Sequence, residues 1–245
     1  FVLTSLGLTA LRLLMREPIP PTIRAKSRLV DRVKEFPGLF REDRGFMYFM
    51  IAQTLAVAGR VAAPFYILYA GHSMALNGKN LGLVSLAFLG ADTVTNLGWG
   101  LAGDRFGFRV TFIVSVVLWI AATGLPMAAP TLPGHHLSTL GPITLDVHAL
   151  IFIAFFGLGA AQSGFLMSSQ TMVLEFGARD DMAMRLALTS TAQGLMSTIG
   201  PLAGGVIAAT FGYEVLFGVS IGLLASALVV LIVLVEEPRF RRGVA

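Results

Sequence analysis

The chain has 245 residues, of which 55% are apolar and only 13% are charged. A soluble domain of this size usually carries about 25% charged residues, so the composition argues against a soluble protein and indicates a membrane protein. The net charge of +4 would suit a nucleic-acid-binding protein, but the basic residues follow a membrane pattern instead, and the absence of cysteine excludes disulfides and thiolate metal sites.

Six stretches are long and apolar enough to cross a bilayer as helices, which takes about 20 mostly apolar residues. They span residues 46–70, 81–103, 109–129, 147–174, 186–210 and 213–235. These runs lack the alternation of period two that marks the strands of a membrane β-barrel. The sequence therefore predicts an all-α membrane protein with a six-helix part that extends from residue 46 to residue 235.

The segments outside these helices are polar or incomplete. Residues 1–15 are apolar but short, and because the chain begins with Phe1 we expect them to be the end of a truncated transmembrane helix. Prolines end that helix, and residues 16–45 are interpreted as a cytoplasmic loop with an amphipathic segment on the membrane surface. A solvated linker is the alternative for this loop. Residues 236–245 are expected to form a cytoplasmic tail.

Lysine and arginine alternate between the two ends of the predicted helices. Of the 18 basic residues, 16 fall in the segments 12–44, 104–109, 179–185 and 239–242, whereas the intervening turns contain only Lys79. By the positive-inside rule, the basic segments and both ends of the chain lie in the cytoplasm. The expected location is the bacterial inner membrane. The lipid bilayer is therefore an expected partner, and nucleic acid is not.

An internal repeat relates residues 100–112 to residues 205–217 at a fixed offset of 105. The matching positions include the turn glycines Gly107 and Gly212 and the phenylalanine before each. The first segment lies at a predicted cytoplasmic turn and the second at a predicted external turn. The repeat therefore indicates two inverted three-helix units, which is a known construction of membrane transporters.

Residues 100–109 read Gly-Leu-Ala-Gly-Asp-Arg-Phe-Gly-Phe-Arg. They resemble the loop signature of the major facilitator superfamily, in which an Asp-Arg pair follows one glycine after three residues and precedes a second glycine. The resemblance implies that this loop latches the two halves of a transporter together in one of its two access states. Phe108 stands where a basic residue is commoner, and the latch residues carried over are Gly100, Asp104, Arg105, Gly107 and Arg109.

The resemblance covers nearly the whole chain, because the loop 16–45 is similar to the central cytoplasmic loop of the family. It implies an MFS-type helical bundle half, namely the C-terminal half of a secondary transporter. A missing N-terminal half of the same protein and a small-molecule substrate are its implied partners. Neither an enzyme activity nor a cofactor is implied.

The resemblance also bears on the direction and coupling of transport. Residues 200–205 resemble a Gly-Pro-rich signature that marks antiporters in the fifth helix of the family. In this chain the signature lies in the fifth predicted helix, and the resemblance makes the six helices the seventh to twelfth of the family's twelve. The signature is therefore in the eleventh helix of the family, where it supports the fold rather than an antiport mechanism. Small-molecule efflux is the favoured direction because exporters are common in the family, and the energy would come from an ion gradient, with a proton as one candidate, or from the solute itself.

Two ionisable residues lie deep in the predicted helices, where such groups are functional candidates. Arg60 lies about 21 Å and Asp92 about 16 Å from the inner end of its helix at a rise of about 1.5 Å per residue. The hypothesis is that they form a buried ion pair near the substrate cavity, with proton coupling through Asp92. An ion pair that only fixes helix packing is the alternative. Pairing would offset an insertion cost of about 2.5–3.5 kcal/mol for each charge.

Amide side chains complete the candidate site. Gln53 lies seven residues before the arginine on the same helix face, and Asn96 lies one turn after the aspartate. Gln162 and Gln170 lie on the fourth predicted helix, and the resemblance implies that the first and fourth helices of this half line the cavity. Hydrogen bonding between helices is the alternative role for these amides.

Two other functions stay open from the sequence. A membrane-embedded enzyme would need His, Asp or Glu clustered at one membrane depth, whereas the four histidines are scattered through predicted external segments. A truncated remnant without transport activity, or a half that pairs with itself, is the other alternative. The reading frame upstream would separate it from a complete transporter.

Overall fold

The computed structural model describes residues 43–71, 74–128, 147–176 and 181–237, the short strands at 139–140 and 143–144, and eight single positions between residues 5 and 41. The helices discussed below belong to the compact unit Phe40–Ala245, which is separate from the unit Phe1–Leu39. Outside the described residues lie most of the predicted partial helix 1–15, most of the loop 16–45 and most of the tail 236–245.

Six helices in the described part of the chain are long and apolar enough to cross a membrane. The first span, Arg44–Ala70, is divided into α1 (Arg44–Gly59), a 3-10 segment (Arg60–Phe65) and α2 (Tyr66–Ala70). The others are α3 (Gly78–Phe106), α4 (Phe108–Ala128), α5 (Val147–Glu175), α6 (Met182–Phe211) and α7 (Tyr213–Val233). Two short antiparallel strands, β1 (Thr139–Leu140) and β2 (Ile143–Thr144), lie between α4 and α5.

The prediction of an all-α membrane bundle is confirmed by these six helices. Their ends lie within a few residues of the predicted ones, and the largest difference is at α6, which begins at Met182 instead of residue 186. The bilayer requires one apolar stretch of a certain length for each crossing, so hydropathy locates such helices well.

The two inverted triplets share the same turn geometry. Gly107 ends α3 with φ 91° and Gly212 ends α6 with φ 88°, and these are the two glycines with positive φ among the described residues. The amide of Gly107 donates to the carbonyl oxygen of Gly103, and the amide of Gly212 donates to that of Ala208. Both pairs are related by the offset of 105, and glycine is the residue that adopts this conformation without a Cβ penalty.

The helix α5 is packed closely against both α3 and α4, and small residues allow it. A Cβ atom on Gly159 would overlap the carbonyl oxygen of Phe88 on α3. One turn further along, a Cβ atom on Gly164 would lie 2.9 Å from the indole of Trp99, whose Nε1 donates to the carbonyl oxygen of Ala160 at 2.8 Å. Small residues at such contacts let membrane helices approach each other.

An ion pair joins the beginning of α1 to the beginning of α6. Asp43 caps α1 by accepting a hydrogen bond from the amide of Phe46, and its other oxygen accepts from Nη1 of Arg185 at 2.8 Å. The guanidinium carbon of Arg185 lies 4.6 Å from the ring centroid of Phe46. Because Arg185 is only 4% exposed, this pair is shielded from salt and water far more than a surface ion pair.

The substitution Gly159→Ala should lower the melting temperature of the full-length protein in detergent. The added methyl group forces α3 and α5 apart, which should cost about 1–3 kcal/mol of unfolding free energy. Gly124→Ala is the matched control because no atom lies within 4 Å of its Cβ position on α4. Equal melting temperatures for the two variants would show that the contact at Phe88 is not tight.

The substitution Asp43→Asn should also destabilise the protein, by about 3 kcal/mol, because Arg185 then keeps a buried charge without its anion. Asparagine caps a helix as well as aspartate does, so the change removes the charge and spares the cap. Thermal unfolding in low and high salt measures the effect, with the exposed Glu214→Gln as control. A loss that disappears in high salt would contradict a shielded pair.

Candidate functional site

The candidate site is built around the interruption of the first span. Pro64 has no amide hydrogen to donate, and the helix changes to 3-10 geometry over Arg60–Phe65. At the start of this segment the hydroxyl of Ser220 on α7 donates to the carbonyl oxygen of Gly59. A Cβ atom on Gly59 would lie 2.7 Å from Cγ of Leu224, so a larger residue would push α7 away.

Arg60 is the first residue of the 3-10 segment, and its side chain points to α4 and α5. Its Nη2 donates to Oε1 of Gln162 at 2.6 Å. The guanidinium carbon lies 4.8 Å from the ring centroid of Trp119 and 5.1 Å from that of Phe165. Two aromatic rings and one amide oxygen therefore fix the guanidinium near the middle of the span.

A buried polar network holds Trp119 in place. Its Nε1 donates to the hydroxyl of Tyr66 at 3.3 Å, and that hydroxyl lies 2.7 Å from Oγ1 of Thr123. Thr123 in turn donates to the main-chain carbonyl oxygen of Trp119 at 2.8 Å. Trp119 and Thr123 are at most 3% exposed. These bonds orient the ring that contacts Arg60.

A cavity of about 140 Å³ lies between the 3-10 segment and α6. Arg60 lines it together with the first-span residue Pro64 and the α6 residues Met196, Ser197, Gly200 and Pro201. The glycines of α6 allow this approach, since a Cβ atom on Gly204 would lie 2.8 Å from the carbonyl oxygen of Val61. The Gly-Pro-rich segment of α6 therefore packs against the broken part of the first span.

Of the predicted site residues, the structure brings together Arg60 and Gln162. The predicted ion pair of Arg60 with Asp92 is wrong, because within the described residues Arg60 bonds to Gln162 and not to Asp92. The reason is helix arrangement: α3, which carries Asp92, packs on α5 and α4, whereas α1 packs chiefly on α7 and α6. Equal depth in the membrane does not make two helices neighbours.

The other predicted contacts lie away from this cavity. Gln53 is 2% exposed, and its Oε1 has no hydrogen-bond partner among the described residues. Asp92 is half-buried on α3, and Asn96 and Gln170 are exposed on their helices. None of these four residues lines the cavity described above.

The predicted latch residues lie at the turn between α3 and α4. Asp104 and Arg105 are exposed at the end of α3. A Cβ atom on Gly107 would lie 2.6 Å from the carboxyl carbon of Glu237. Gly107 therefore leaves room for that carboxylate, which also accepts from the amide of Arg109 at 3.2 Å.

Two carbonyl oxygens at the end of α7 accept hydrogen bonds from the Arg109 side chain. Its Nε donates to Leu231 at 3.2 Å and its Nη2 donates to Ile232 at 2.8 Å. A cation at the carboxyl end of a helix is favourably placed relative to the helix dipole. Arg109 thus holds the latch loop against the last helix of this half, while Gly100 lies 3.9 Å from Met167 of α5 at its Cβ position.

Sequence reasoning missed several residues of the site. Trp119 carried a usable signal, because tryptophan in membrane helices is enriched near the interfaces and this one lies in the middle of α4. Pro64 and Pro201 are prolines inside membrane helices, and such interruptions often mark binding sites. Ser197 carried no signal that distinguishes it from the other hydroxyl residues of α6.

Comparison with known families agrees with this architecture. The family model described as Major Facilitator Superfamily matches residues 46–244, which include the loop with Asp104 and Arg105 and all six helices except the first two residues of α1. A comparison with curated proteins finds no match. The family match and the six apolar helices together show an integral membrane protein of a transporter family. The chain therefore belongs to the major facilitator superfamily.

Proposed function

We propose that the chain forms one half of a secondary transporter that moves a small molecule by alternating access. The observation that carries this proposal is the cavity beside the broken first span, near the middle of the helices. Around a proline, a membrane helix satisfies its freed backbone groups through local 3-10 geometry and through neighbouring helices. Transporters place their substrate sites at such interruptions.

The open faces of α3 and α6 support a second half as the partner. In the most apolar 18-residue stretch of these two spans, 11% and 6% of the stretch is buried inside the structure, whereas the share is 33–56% in the other four spans. Their mean hydropathies, 1.3 for α3 and 1.4 for α6, are also lower than those of the third helix of each triplet. These are 2.0 for α4 and 2.7 for α7. A face towards lipid should be the most apolar one, so we assign α4 and α7 to the bilayer and α3 and α6 to the missing N-terminal half.

The loop between α3 and α4 is proposed to be the conformational latch. Asp104 and Arg105 are exposed at the end of α3, which is one of the two open helices. Gly107 and Arg109 hold the loop on α7, so that it is presented in one position. The placement of basic residues supports a cytoplasmic position for this loop and for both chain ends, in the bacterial inner membrane.

Proton coupling is proposed to run through Asp92, with Asn96 one turn away on the same helix. Asp92 is half-buried on α3 and is the one carboxylate in the middle of a span among the described residues. A carboxylate at this depth is a functional candidate because its charge is costly there. The proposed direction is export, which follows from how common exporters are in the family and not from a residue.

Proton movement in inside-out vesicles that carry the full-length protein tests this proposal. A pH-sensitive dye should report a solute-dependent signal when drugs, sugars and organic acids are added in turn. Asp92→Asn should abolish the signal, because an amide cannot release a proton. Glu214→Gln is the control, since Glu214 is an exposed carboxylate at the beginning of α7.

The outcomes separate the parts of the proposal. A solute signal that persists in Asp92→Asn would exclude Asp92 from the proton path and leave transport standing. Uptake of labelled solute without any dye response would replace proton coupling with uniport or another ion. Folded protein that moves none of the solutes would contradict the export assignment.

A further inference from the structure

We propose that Arg60 binds the anionic group of the transported solute, which makes the substrate a small organic anion. The inference rests on the proposed transport function and adds the chemical class of the substrate. Its basis is a half-buried arginine that lines the cavity and whose guanidinium makes its hydrogen bond to a neutral side chain.

The partners of Arg60 leave most of its hydrogen-bonding capacity unused. A guanidinium has five N–H donors in a planar fork. Within the described residues, one of them is bonded, to the neutral oxygen of Gln162. The rings of Trp119 and Phe165 contact the guanidinium through their π electrons. They do not accept hydrogen bonds from the N–H groups at its edge. The rest of the fork remains for a ligand.

No carboxylate of the described part of the chain is placed to neutralise Arg60. Asp92, on α3, is not bonded to it, and α3 and α1 are not packed together. The other described acidic residues lie near the ends of helices or outside them, and not in the middle of a span as Arg60 does. They are Asp43, Asp104, Glu175, Asp181, Glu214, Glu236 and Glu237. The positive charge of Arg60 is therefore not balanced by a carboxylate of the described residues.

An unbalanced buried charge gives the site its selectivity. Removing a charge from water costs several kcal/mol unless an opposite charge or hydrogen bonds replace the lost hydration. A carboxylate or phosphonate can bond the planar fork through two oxygens, which arginine does better than lysine. A neutral solute of the same shape would leave Arg60 uncompensated and should bind more weakly.

The dimensions of the cavity fit the head group of such a solute. Its volume of about 140 Å³ is smaller than the roughly 300–1,000 Å³ of pockets that enclose a whole drug-sized ligand. The walls beside Arg60 are largely apolar and include Pro64, Met196 and Pro201, with Ser197 as a hydroxyl. The anionic group would lie at Arg60, and the body of the solute would extend towards the open side of α6.

The test uses thermal unfolding of the purified full-length protein in detergent. The probes are benzoate, lactate and methylphosphonate, each compared with its neutral counterpart: benzamide, lactamide and dimethyl methylphosphonate. Sodium concentration is kept constant across all samples. Wild type is compared with Arg60→Gln, and with Lys79→Gln, which removes an exposed positive charge at the beginning of α3.

We expect at least one anion to raise the melting temperature of wild type and of Lys79→Gln by several degrees, with no shift from its neutral counterpart. Arg60→Gln should lose the shift, and the apparent Kd should rise at least tenfold. If for every anion the shift in wild type is no larger than in Arg60→Gln, the assignment is overturned. The same result is expected if a carboxylate of the N-terminal half already neutralises Arg60, and it overturns the assignment in that case too.

Two further variants keep the test decisive if Arg60→Gln fails to fold. Arg60→Lys keeps the charge but loses the planar fork, so the anion should bind at least fivefold more weakly. Gln162→Leu keeps Arg60 but removes the acceptor that orients it, and it should weaken the same anion severalfold. Anion binding at wild-type strength in both variants overturns the proposal.

The vesicle assay distinguishes this inference from the proposed function. Transport of neutral or cationic solutes, together with no Arg60-dependent anion shift, would overturn the anion assignment and leave the transporter standing. An Arg60-dependent anion shift in a protein that moves no solute would support the binding site and contradict the transport proposal.

Discussion

In the core of a bilayer no water is present to bond a free amide or carbonyl, so a helix that loses a hydrogen bond at a proline must satisfy the freed groups by local 3-10 geometry or through neighbouring helices. The first span of this chain is interrupted over Arg60–Phe65. The hydroxyl of Ser220 on α7 bonds the carbonyl oxygen at the start of the interruption. On the other side, Gly204 lets α6 come close to the carbonyl oxygen of Val61. The cavity and the position of Arg60 both follow from this arrangement.

Charged residues fasten the two inverted triplets to each other at their predicted cytoplasmic ends. Asp43, before α1, pairs with Arg185 on α6, and Arg109 on α4 bonds the carbonyl end of α7. Each of these contacts joins a helix of the first triplet to a helix of the second. A half that rocks as one rigid body needs such links, because otherwise the triplets could move separately and the cavity between the first span and α6 would change shape.

The fold could be predicted from the sequence more completely than the site. Each crossing needs about 20 apolar residues, so six crossings are visible in the hydropathy. The internal repeat in the sequence aligns Gly107 with Gly212, which share one turn geometry in the structure. The site depends on which helices touch, and depth along a helix does not give that information. The sequence indicates both Arg60 and Gln162 as site residues but does not predict their bond, and it wrongly pairs Asp92 with Arg60, because α3 does not pack on α1.

The extent of the interruption was also beyond sequence reasoning. Pro64 indicates that a helical hydrogen bond is lost, but the length of the 3-10 segment depends on the contacts that α6 and α7 make with it. The same holds for Trp119. Tryptophan as a residue type favours the membrane interface. The hydrogen bond of Trp119 to Tyr66 and its position beside Arg60 exist only in the packed bundle.

Trp119 also gives this half an optical property. The chain has two tryptophans, and the emission wavelength of an indole depends on the electric field of nearby charges. The guanidinium carbon 4.8 Å from the Trp119 ring is such a charge, and any ligand that neutralises it changes the field at the ring. Trp99, bonded to the carbonyl oxygen of Ala160 between α3 and α5, supplies an internal reference. Binding of an anion to Arg60 should therefore change the emission of Trp119, so that it can be followed in real time without a dye or a covalent label.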